Sequence, residues 1–307
     1  MSRNFQSILL QDNARLTAAI SLDAGSARIE VQALLQHVLK VSRAYLLAYP
    51  ERRLNEVEQS QYNELFQRRM KGEPIAYILG QREFFGLVFK VTPAILIPRP
   101  ETELLVELAL ERIPSPSAGF ALPATLFPPA GERNRQAGRG REFCVLDLGT
   151  GSGAIALSIV HTRPDIEAVA VDVSSEALVV ARENAQALGT NKVTFMQSDW
   201  YSALEKQRFN LIVSNPPYIA AGDAHLQQGD LRFEPATALA SGYDGLDDIR
   251  SIVTAAPKYL EPGGKLLLEH GYDQAAQVRE LLSEAGFQEV FSACDMAGVE
   301  RVSGGCL

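Results

Sequence analysis

The feature that most constrains the fold is an alternation of short apolar runs with helical patterns from Phe143 to the end of the chain. The runs are rich in branched residues, and apolar positions at helical spacing follow most of them. Repeated strand–helix units predict an α/β fold with a mostly parallel, doubly wound sheet. The predicted strands are FCVLDL, AVAVDV, KVTFMQ, FNLIVS and KLLLEH, with two weaker strands at 288–293 and 299–303.

A glycine-rich loop, DLGTGSG, follows the first of these strands and precedes the helix AIALSIV. Glycines there permit a sharp turn and let backbone amides approach a ligand at the helix N-terminus. Asp172 ends the next strand, where a carboxylate can accept hydrogen bonds from both hydroxyls of a ribose. The two features predict a nucleoside-bearing cofactor. The predicted cofactor-binding residues of this part are Gly149, Thr150, Gly151, Ser152, Gly153 and Asp172.

The third strand ends in Gln197-Ser198-Asp199-Trp200, which contains the only tryptophan of the chain. The carboxyl ends of parallel strands meet at one edge of a sheet, so these residues are expected beside the glycine loop. An indole can stack on adenine, and a carboxylate can accept from its amino group. Asp199 and Trp200 are therefore predicted to bind the same cofactor.

The fourth strand ends in Asn215-Pro216-Pro217-Tyr218, the most specific motif of the chain. Two consecutive prolines cannot continue a central strand, so the chain leaves the sheet with a stiff shape. A planar amide or amine nitrogen is a poor nucleophile, because its lone pair is delocalised. The Asn215 side-chain oxygen and the Pro216 carbonyl are predicted to accept its two N–H bonds and steer the lone pair towards a sulfonium methyl. Tyr218 is predicted to pack on the substrate plane.

Before Phe143 the pattern is different. Apolar positions from about residue 5 to 72 recur at helical spacing, and Asn55 with Glu58 predicts a capping box. The predicted organisation is a helical domain at 1–82, a hairpin linker at 83–97 and a catalytic domain at 98–307. Within the last, residues 114–141 are rich in proline, glycine and arginine and are predicted to be a flexible insertion.

Composition excludes several classes of protein. A net charge of -8 argues against a protein whose main work is to bind nucleic acid phosphates. The sequence has no run of about 18 apolar residues, so no membrane span is predicted. The three cysteines and four histidines show no metal-ligand spacing, so no metal site is predicted and the histidines are not predicted catalysts. A reducing cytoplasm is the expected compartment.

The motif order DLGTGSG, VAVD, QSDW and VSNPPY resembles that of class I methyltransferases, which have a Rossmann-like fold. Nearly the whole chain is similar to the HemK/PrmC family, the release factor glutamine methyltransferases. The supporting segments are GEPIAYILGQREF, LIPRPETE and HLQQGDLRFEPATAL. The insertion at 114–141 is longer than is usual for that family.

The resemblance implies methyl transfer from S-adenosyl-L-methionine to the side-chain amide nitrogen of glutamine in the Gly-Gly-Gln motif of class 1 peptide chain release factors. It also implies that the helical domain helps to engage the release factor. Carried over by position, Asn215, Pro216 and Tyr218 are the catalytic residues, and the substrate-binding residues are Asn215, Pro216, Pro217 and Tyr218. The resemblance also implies that Asn215 lines the cofactor.

Two other functions stay open at this point. Asn-Pro-Pro-aromatic motifs also serve DNA adenine and ribosomal RNA guanine methyltransferases, although the acidic charge disfavours duplex DNA. A non-catalytic cofactor-binding or ribosome-associated protein is the third hypothesis, and free acceptors at Asn215 weigh against it. Arg99, Glu101 and Glu234 lie in motifs whose roles the sequence leaves undecided. A monomer is the expected state, with no sequence-specific nucleic acid binding.

Overall fold

The structure, a computed structural model, describes residues 3–115 and 143–307, so the predicted insertion lies almost wholly outside the described residues. Helices occupy the first part of the chain, as the apolar spacing predicts, and a two-stranded antiparallel hairpin follows. The elements are α1 (Phe5–Ile20), α2 (Ala24–Leu39), α3 (Arg43–Ala48), α4 (Glu56–Met70), α5 (Ile75–Leu79), β1 (Gln81–Phe84) and β2 (Leu87–Lys90).

A capping box and one buried carboxylate stabilise the helical part. The predicted capping box is confirmed, because Asn55 Oδ1 accepts from the Glu58 amide at 2.9 Å and the Glu58 side chain accepts from the Asn55 amide at 2.9 Å. Inside, the fully buried Asp12 of α1 accepts from the Tyr62 hydroxyl of α4 at 3.0 Å and from Arg3 at 2.8 Å. Hydrogen bonds to a charged group are the stronger kind, so they tie α1 to α4 through the helical core.

The hairpin begins and ends earlier than the predicted range of 83–97. Phe85 and Gly86 form its turn with positive φ angles of 51° and 73°. Strand pairing stops at Lys90, before Pro93, because proline has no N–H to donate to a partner strand. The chain then continues as an extended segment.

A 3-10 turn at Pro100–Thr102 and α6 (Glu103–Arg112) lead to a seven-stranded sheet. The sheet strands are β3 (Cys144–Leu148), β4 (Glu167–Asp172), β5 (Val193–Gln197), β6 (Phe209–Ser214), β7 (Leu260–Glu269), β8 (Gln288–Cys294) and β9 (Glu300–Cys306). Their order is β5-β4-β3-β6-β7-β9-β8; the first five are parallel, and β9 is antiparallel to both neighbours. The predicted mostly parallel sheet is confirmed.

The sheet is covered on both faces, which confirms the doubly wound prediction. The remaining helices are α7 (Ala154–Thr162), α8 (Ser175–Ala187), α9 (Asp247–Ala255) and α10 (Ala275–Glu284). Leu267 of β7 packs into a cluster with α6 and α7, whereas its neighbours Leu266 and Leu268 pack into a cluster with α9 and α10. Successive strand residues point to opposite faces, so the two clusters lie on the two sides of the sheet.

Three strands differ from the predicted boundaries. The last strands are longer than predicted, and β7 begins at Leu260, five residues before the predicted KLLLEH, because Leu260 pairs with Phe209 ahead of an irregularity in register. Strand β9 extends to Cys306 through two glycines. A Cβ atom on Gly304 would lie 2.5 Å from the Leu266 carbonyl oxygen, so this close pairing requires glycine.

The helical part contacts the loop that follows β6. Arg69 of α4 is buried, and its guanidinium pairs with Glu30 of α2 at 2.6 Å and with Asp230 of the loop at 3.3 Å. Arg232 of the same loop donates to the Lys71 carbonyl at 3.0 Å. The two contacts with the loop, from Arg69 and from Arg232, each join residues 161 positions apart.

Asn184 of α8 joins three elements. It is buried, and its Oδ1 accepts from the Lys90 amide at 2.7 Å. Its Nδ2 donates to the Lys90 carbonyl at 3.1 Å and to the Ser152 carbonyl at 2.9 Å. One side chain therefore satisfies backbone groups of the hairpin and of the glycine loop together.

We expect Asn184→Ala to lower the free energy of unfolding by about 2–4 kcal/mol, since it leaves the backbone partners of Asn184 without their bonds. Urea unfolding measures the change. The matched control is Asn191→Ala, at an exposed loop position, which we expect to shift the free energy by no more than about 0.5 kcal/mol. Equal shifts in the two variants would contradict the role given to Asn184.

Candidate active site

Four parallel strands bring the predicted site residues to one edge of the sheet. The loop after β3, the end of β4 and the loops after β5 and β6 all reach a single cavity of about 390 Å³. This is within the size range of cofactor sites, and it lies where the strand order reverses between β3 and its two neighbours. Of the predicted residues, those that line it are Gly149, Gly151, Asp172, Asp199, Trp200, Asn215 and Pro217.

The glycine loop makes its turn with left-handed backbone. Gly149, Gly151 and Gly153 have φ angles of 72°, 55° and 82°. The amides of Gly149 and Thr150 both donate to the Val171 carbonyl at 2.9 Å, which holds the loop against β4. A Cβ atom on Gly153 would lie 2.8 Å from a methyl group of Leu157, so the start of α7 packs closely. Glycine is required here by both conformation and space.

Three of the predicted cofactor-binding residues belong to the glycine loop but do not line the cavity. Thr150 is buried, and its hydroxyl donates to Asp147 Oδ2 at 2.6 Å. Ser152 is held through its carbonyl by Asn184, and Gly153 caps α7. Burial raises the pKa of Asp147 to about 7, while the Thr150 bond acts in the opposite direction. Thr150, Ser152 and Gly153 therefore shape the loop from within.

Asp172 faces the cavity from the end of β4. Its Oδ2 accepts from the Gly151 amide at 2.8 Å, and its Oδ1 accepts from the Ser174 amide at 2.9 Å. Burial raises the pKa of Asp172, and the two backbone amides act in the opposite direction. Each carboxylate oxygen has a second lone pair, so the group can still accept from a ligand.

Trp200 lies directly against the glycine loop. A Cβ atom on Gly149 would be 3.4 Å from Cζ3 of the indole, so the ring and the loop backbone are in contact. Trp200 itself has a positive φ of 45°, and the Ser198 hydroxyl holds the turn by donating to its carbonyl at 2.8 Å. Asp199, which precedes it, is exposed at the cavity. The tryptophan and the carboxylate thus share one wall.

The Asn215 amide has one free end. Its Nδ2 donates to the Thr102 hydroxyl at 3.1 Å. Its Oδ1 is buried and has no hydrogen-bond partner among the described residues. Since Asn215 lines the cavity, a buried acceptor without a donor is available to a ligand there.

The remaining residues of the motif have different positions. Pro217 lines the cavity, whereas Pro216 is buried and Tyr218 lies away from the cavity wall. The Tyr218 hydroxyl donates to Glu269 Oε1 at 3.3 Å, and its carbonyl accepts from Gln274 at 3.0 Å. That Tyr218 packs on the substrate plane stays a prediction, because the bond of its hydroxyl to a buried carboxylate does not decide what the face of its ring contacts.

A second part of the cavity wall is formed by residues that the sequence motifs do not predict. It consists of the extended segment at 93–96 together with Pro235, Thr237 and Ala238. Arg99 pairs with the buried Glu234, whose other oxygen accepts from the Ile97 amide at 3.0 Å. Arg99 and Glu234 therefore fasten the two segments of this wall together. Glu101 is exposed in the turn before α6.

No local pattern could have identified that wall, because its two segments are more than 130 positions apart in sequence. The proline-containing motifs around Arg99 and Glu234 were the available signal. A pairing of Arg99 with Glu234 could not be read from either motif alone.

The cavity has a distinct electrostatic character. Four carboxylates line it, and no lysine or arginine does so among the described residues. Such a lining attracts cationic ligands and repels phosphates. The four residues are Asp172, Glu176, Asp199 and Asp248.

Metal-ligand clusters and membrane-spanning helices are both absent from residues 3–115 and 143–307. No cluster of three or more His, Cys, Asp or Glu side chains in these ranges could hold a metal ion. No helix there has the length and apolar character needed to cross a membrane. His270 is buried between the Gly271 carbonyl and the Ser303 hydroxyl, and burial lowers its pKa.

Two family models match the chain. The "Methyltransferase small domain" matches residues 138–298, and the "PrmC N-terminal domain" matches residues 13–80. Among solved structures, the hMettl16 catalytic domain in complex with the MAT2A 3'UTR hairpin 6 is similar with a TM-score of 0.52 and 15% identity, covering 86% of this chain and 92% of that chain. At this identity the similarity concerns the fold alone.

Curated relatives are much closer in sequence. A release factor glutamine methyltransferase of Burkholderia pseudomallei is 50% identical, over 96% of this chain and 95% of the relative. One of Bordetella pertussis is 48% identical, over 93% of this chain and 97% of the relative. Identity of this level along nearly the full length of both proteins, together with the two family models, means that the chain belongs to the release factor glutamine methyltransferase family.

Proposed function

We propose that this protein transfers a methyl group from S-adenosyl-L-methionine to the side-chain amide nitrogen (N5) of the glutamine in the Gly-Gly-Gln motif of class 1 peptide chain release factors. The observation that carries the proposal is the buried, unpartnered Oδ1 of Asn215 at the cavity. A planar amide N–H is the donor that this acceptor lacks.

The residues of the cavity fit the cofactor. S-adenosylmethionine carries a sulfonium and an ammonium group against one carboxylate, so a lining of carboxylates without lysine or arginine suits it better than it suits a nucleotide phosphate. Asp172 would accept from the ribose hydroxyls, and Trp200 and Asp199 would hold the adenine. When bound, the cofactor supplies an electrophilic methyl group.

The contribution of the chain is to position the acceptor nitrogen. Asn215 Oδ1 and the Pro216 carbonyl accept the two N–H bonds of the substrate amide, so that the nitrogen lone pair is directed into the cavity. Alignment of this kind contributes several kcal/mol, up to roughly 7–11 in ideal cases. No strong base is needed before attack, since the methylated nitrogen becomes acidic and gives its extra proton to solvent.

Three observations favour a protein glutamine over a nucleic acid base. The relatives named above are called release factor glutamine methyltransferases. The net charge is -8, and contacts to phosphates need lysine and arginine. An enzyme acting on a base in duplex DNA must also flip that base out of the stack.

The domain roles belong to the same proposal. We assign residues 1–82 to engagement of the release factor, 83–97 to the linker and 98–307 to methyl transfer. Support comes from Arg69 and Arg232, which join the helical part to the loop that carries Pro235 and Thr237 of the cavity wall. A factor bound to the helices would lie beside this loop. The cytoplasm, where release factors act, is the proposed location.

Replacement of Asn215 by alanine tests the central acceptor. We expect the turnover number to fall roughly 100-fold or more, because a preorganised hydrogen-bond partner of the reacting group is lost. Transfer of labelled methyl from S-adenosylmethionine to a release factor measures it, with Asn191→Ala as the matched surface control.

The same assay tests the substrate. A release factor whose Gly-Gly-Gln glutamine is changed to alanine should take up no label. Persistent label on that variant would overturn the assignment of the glutamine. Transfer to duplex DNA or ribosomal RNA, with none to the release factor, would instead favour a nucleic acid methyltransferase.

Replacement of Asp172 by asparagine tests the cofactor assignment. Both carboxylate oxygens accept backbone amides, so an asparagine NH₂ would face one of these donors. We expect S-adenosylmethionine to bind roughly 10- to 100-fold more weakly, from the loss of charge-assisted hydrogen bonds. Isothermal titration calorimetry measures the affinity, and Glu284→Gln, at an exposed position of α10, is the control. Unchanged affinity in Asp172→Asn would exclude Asp172 from the cofactor site.

A further inference from the structure

We propose that Glu269, acting through the hydroxyl group of Thr102, is a positioning residue that fixes the orientation of the Asn215 side-chain amide. The inference rests on the proposed function and adds to it the reason why Asn215 presents oxygen, and not nitrogen, to the substrate.

Three separate elements place these side chains together. Glu269 ends β7, and the parallel register pairs Leu268 with Ser214, so Glu269 comes beside Asn215 at the end of β6. Thr102 ends the 3-10 turn before α6. Thr102 and Glu269 are buried, with 4% and 2% of their surfaces exposed. The group is therefore largely shielded from water, and each hydrogen must be assigned to a partner within it.

The Tyr218 hydroxyl bonds this carboxylate, and the Asn215 amide bonds the Thr102 hydroxyl. Tyr218 donates to Glu269 Oε1 at 3.3 Å, and Asn215 Nδ2 donates to Thr102 Oγ1 at 3.1 Å. Glu269 Oε2 is buried without a hydrogen-bond partner among the described residues, and the Thr102 hydroxyl lowers the pKa of Glu269. The Glu269 carboxylate can therefore still accept a hydrogen bond from the Thr102 hydroxyl, the group that is bonded to Asn215.

The direction of the hydrogen bonds follows from the number of donors. A hydroxyl has a single hydrogen, and an ionised carboxylate only accepts. When Thr102 gives its hydrogen to Glu269, its oxygen can only accept from Asn215, which must then present Nδ2 to it. Asn215 Oδ1 is then left without a donor from the protein, which agrees with its lack of a partner among the described residues. Without the carboxylate, Thr102 could donate to Asn215 Oδ1 and so stabilise the reversed amide, which would offer N–H groups to a substrate that is itself a donor.

Neither Glu269 nor Thr102 lines the cavity, so neither is expected to contact the cofactor. Their role would be visible in turnover and in its pH dependence. Burial raises the pKa of Glu269 to about 7, with the Thr102 and Tyr218 hydroxyls acting in the opposite direction. The other charged groups that act on it are Glu101, which raises its pKa, and Arg301, which lowers it.

The sign of the pH effect follows from the donor count. Below this pKa the protonated Glu269 is itself a donor, and Thr102 no longer has to donate to it. Above this pKa the ionised Glu269 only accepts, so Thr102 donates to it and Asn215 presents Oδ1 to the substrate. Turnover should therefore rise with pH through about 7. Asp147 has a pKa raised to a similar value, so the variants below must separate the two groups.

The experiment compares Thr102→Val, Thr102→Ser and Glu269→Gln in methyl transfer to a release factor. Thr102→Val removes the hydroxyl but keeps the shape, and we expect turnover to fall roughly 10- to 100-fold with cofactor affinity within about threefold of wild type. Thr102→Ser restores the hydroxyl and should return turnover to within about threefold of wild type. Glu269→Gln should remove the rise of turnover near pH 7.

Thr194→Val and Glu280→Gln, at exposed positions of β5 and α10, are the matched controls. We expect both to keep the wild-type turnover and pH profile. Thermal unfolding of each variant, with cofactor affinity measured by calorimetry, separates loss of positioning from loss of fold.

Any of three results would overturn the positioning role while leaving the proposed function intact. They are wild-type turnover in Thr102→Val, an equal fall of turnover in Thr102→Val and Thr102→Ser, and a wild-type fall of turnover below pH 7 in Glu269→Gln. A wild-type protein that methylates no release factor would overturn the proposed function itself.

Discussion

The site depends on the turn between β3 and α7. In five residues the chain must leave the central strand and enter a helix, and it does so through three left-handed glycines. Buried polar partners hold the turn in place. Asp147 binds it from inside the sheet, Asn184 binds it from α8, and the Val171 carbonyl binds it from β4. Because each partner belongs to a different element, the loop cannot change shape without breaking hydrogen bonds in the core.

The second wall of the cavity is built by contacts between distant segments. The pair Arg99–Glu234 and the pair Arg69–Asp230 both end on the loop after β6. One partner in each pair, Glu234 or Arg69, is buried and costly to desolvate, so the effect of the pairs lies more in fixing one arrangement than in added stability. Here they fix the loop between the cavity and the helical part. The cavity wall and the proposed release-factor-binding helices are therefore mechanically connected.

The proposed chemistry depends on hydrogen-bond acceptors. In the proposed reaction a planar amide is held so that its nitrogen meets the sulfonium methyl of S-adenosyl-L-methionine, and no base is needed before attack. The chain provides a cavity lined by carboxylates and, at Asn215, a buried amide oxygen without a donor among the described residues. Tyr218, a predicted substrate contact, donates its hydroxyl hydrogen to the buried Glu269.

The doubly wound sheet, the glycine turn, the capping box at Asn55 and the family were predictable from the amino-acid sequence, because each depends on residues close together in the chain or on motif order. The folded chain was needed to show which motif residues face the cavity, that Arg99 pairs with Glu234, and that Thr102 and Glu269 lie beside Asn215. Partners more than 50 positions apart meet only when the sheet has assembled, and the direction of a hydrogen bond depends on every donor around it.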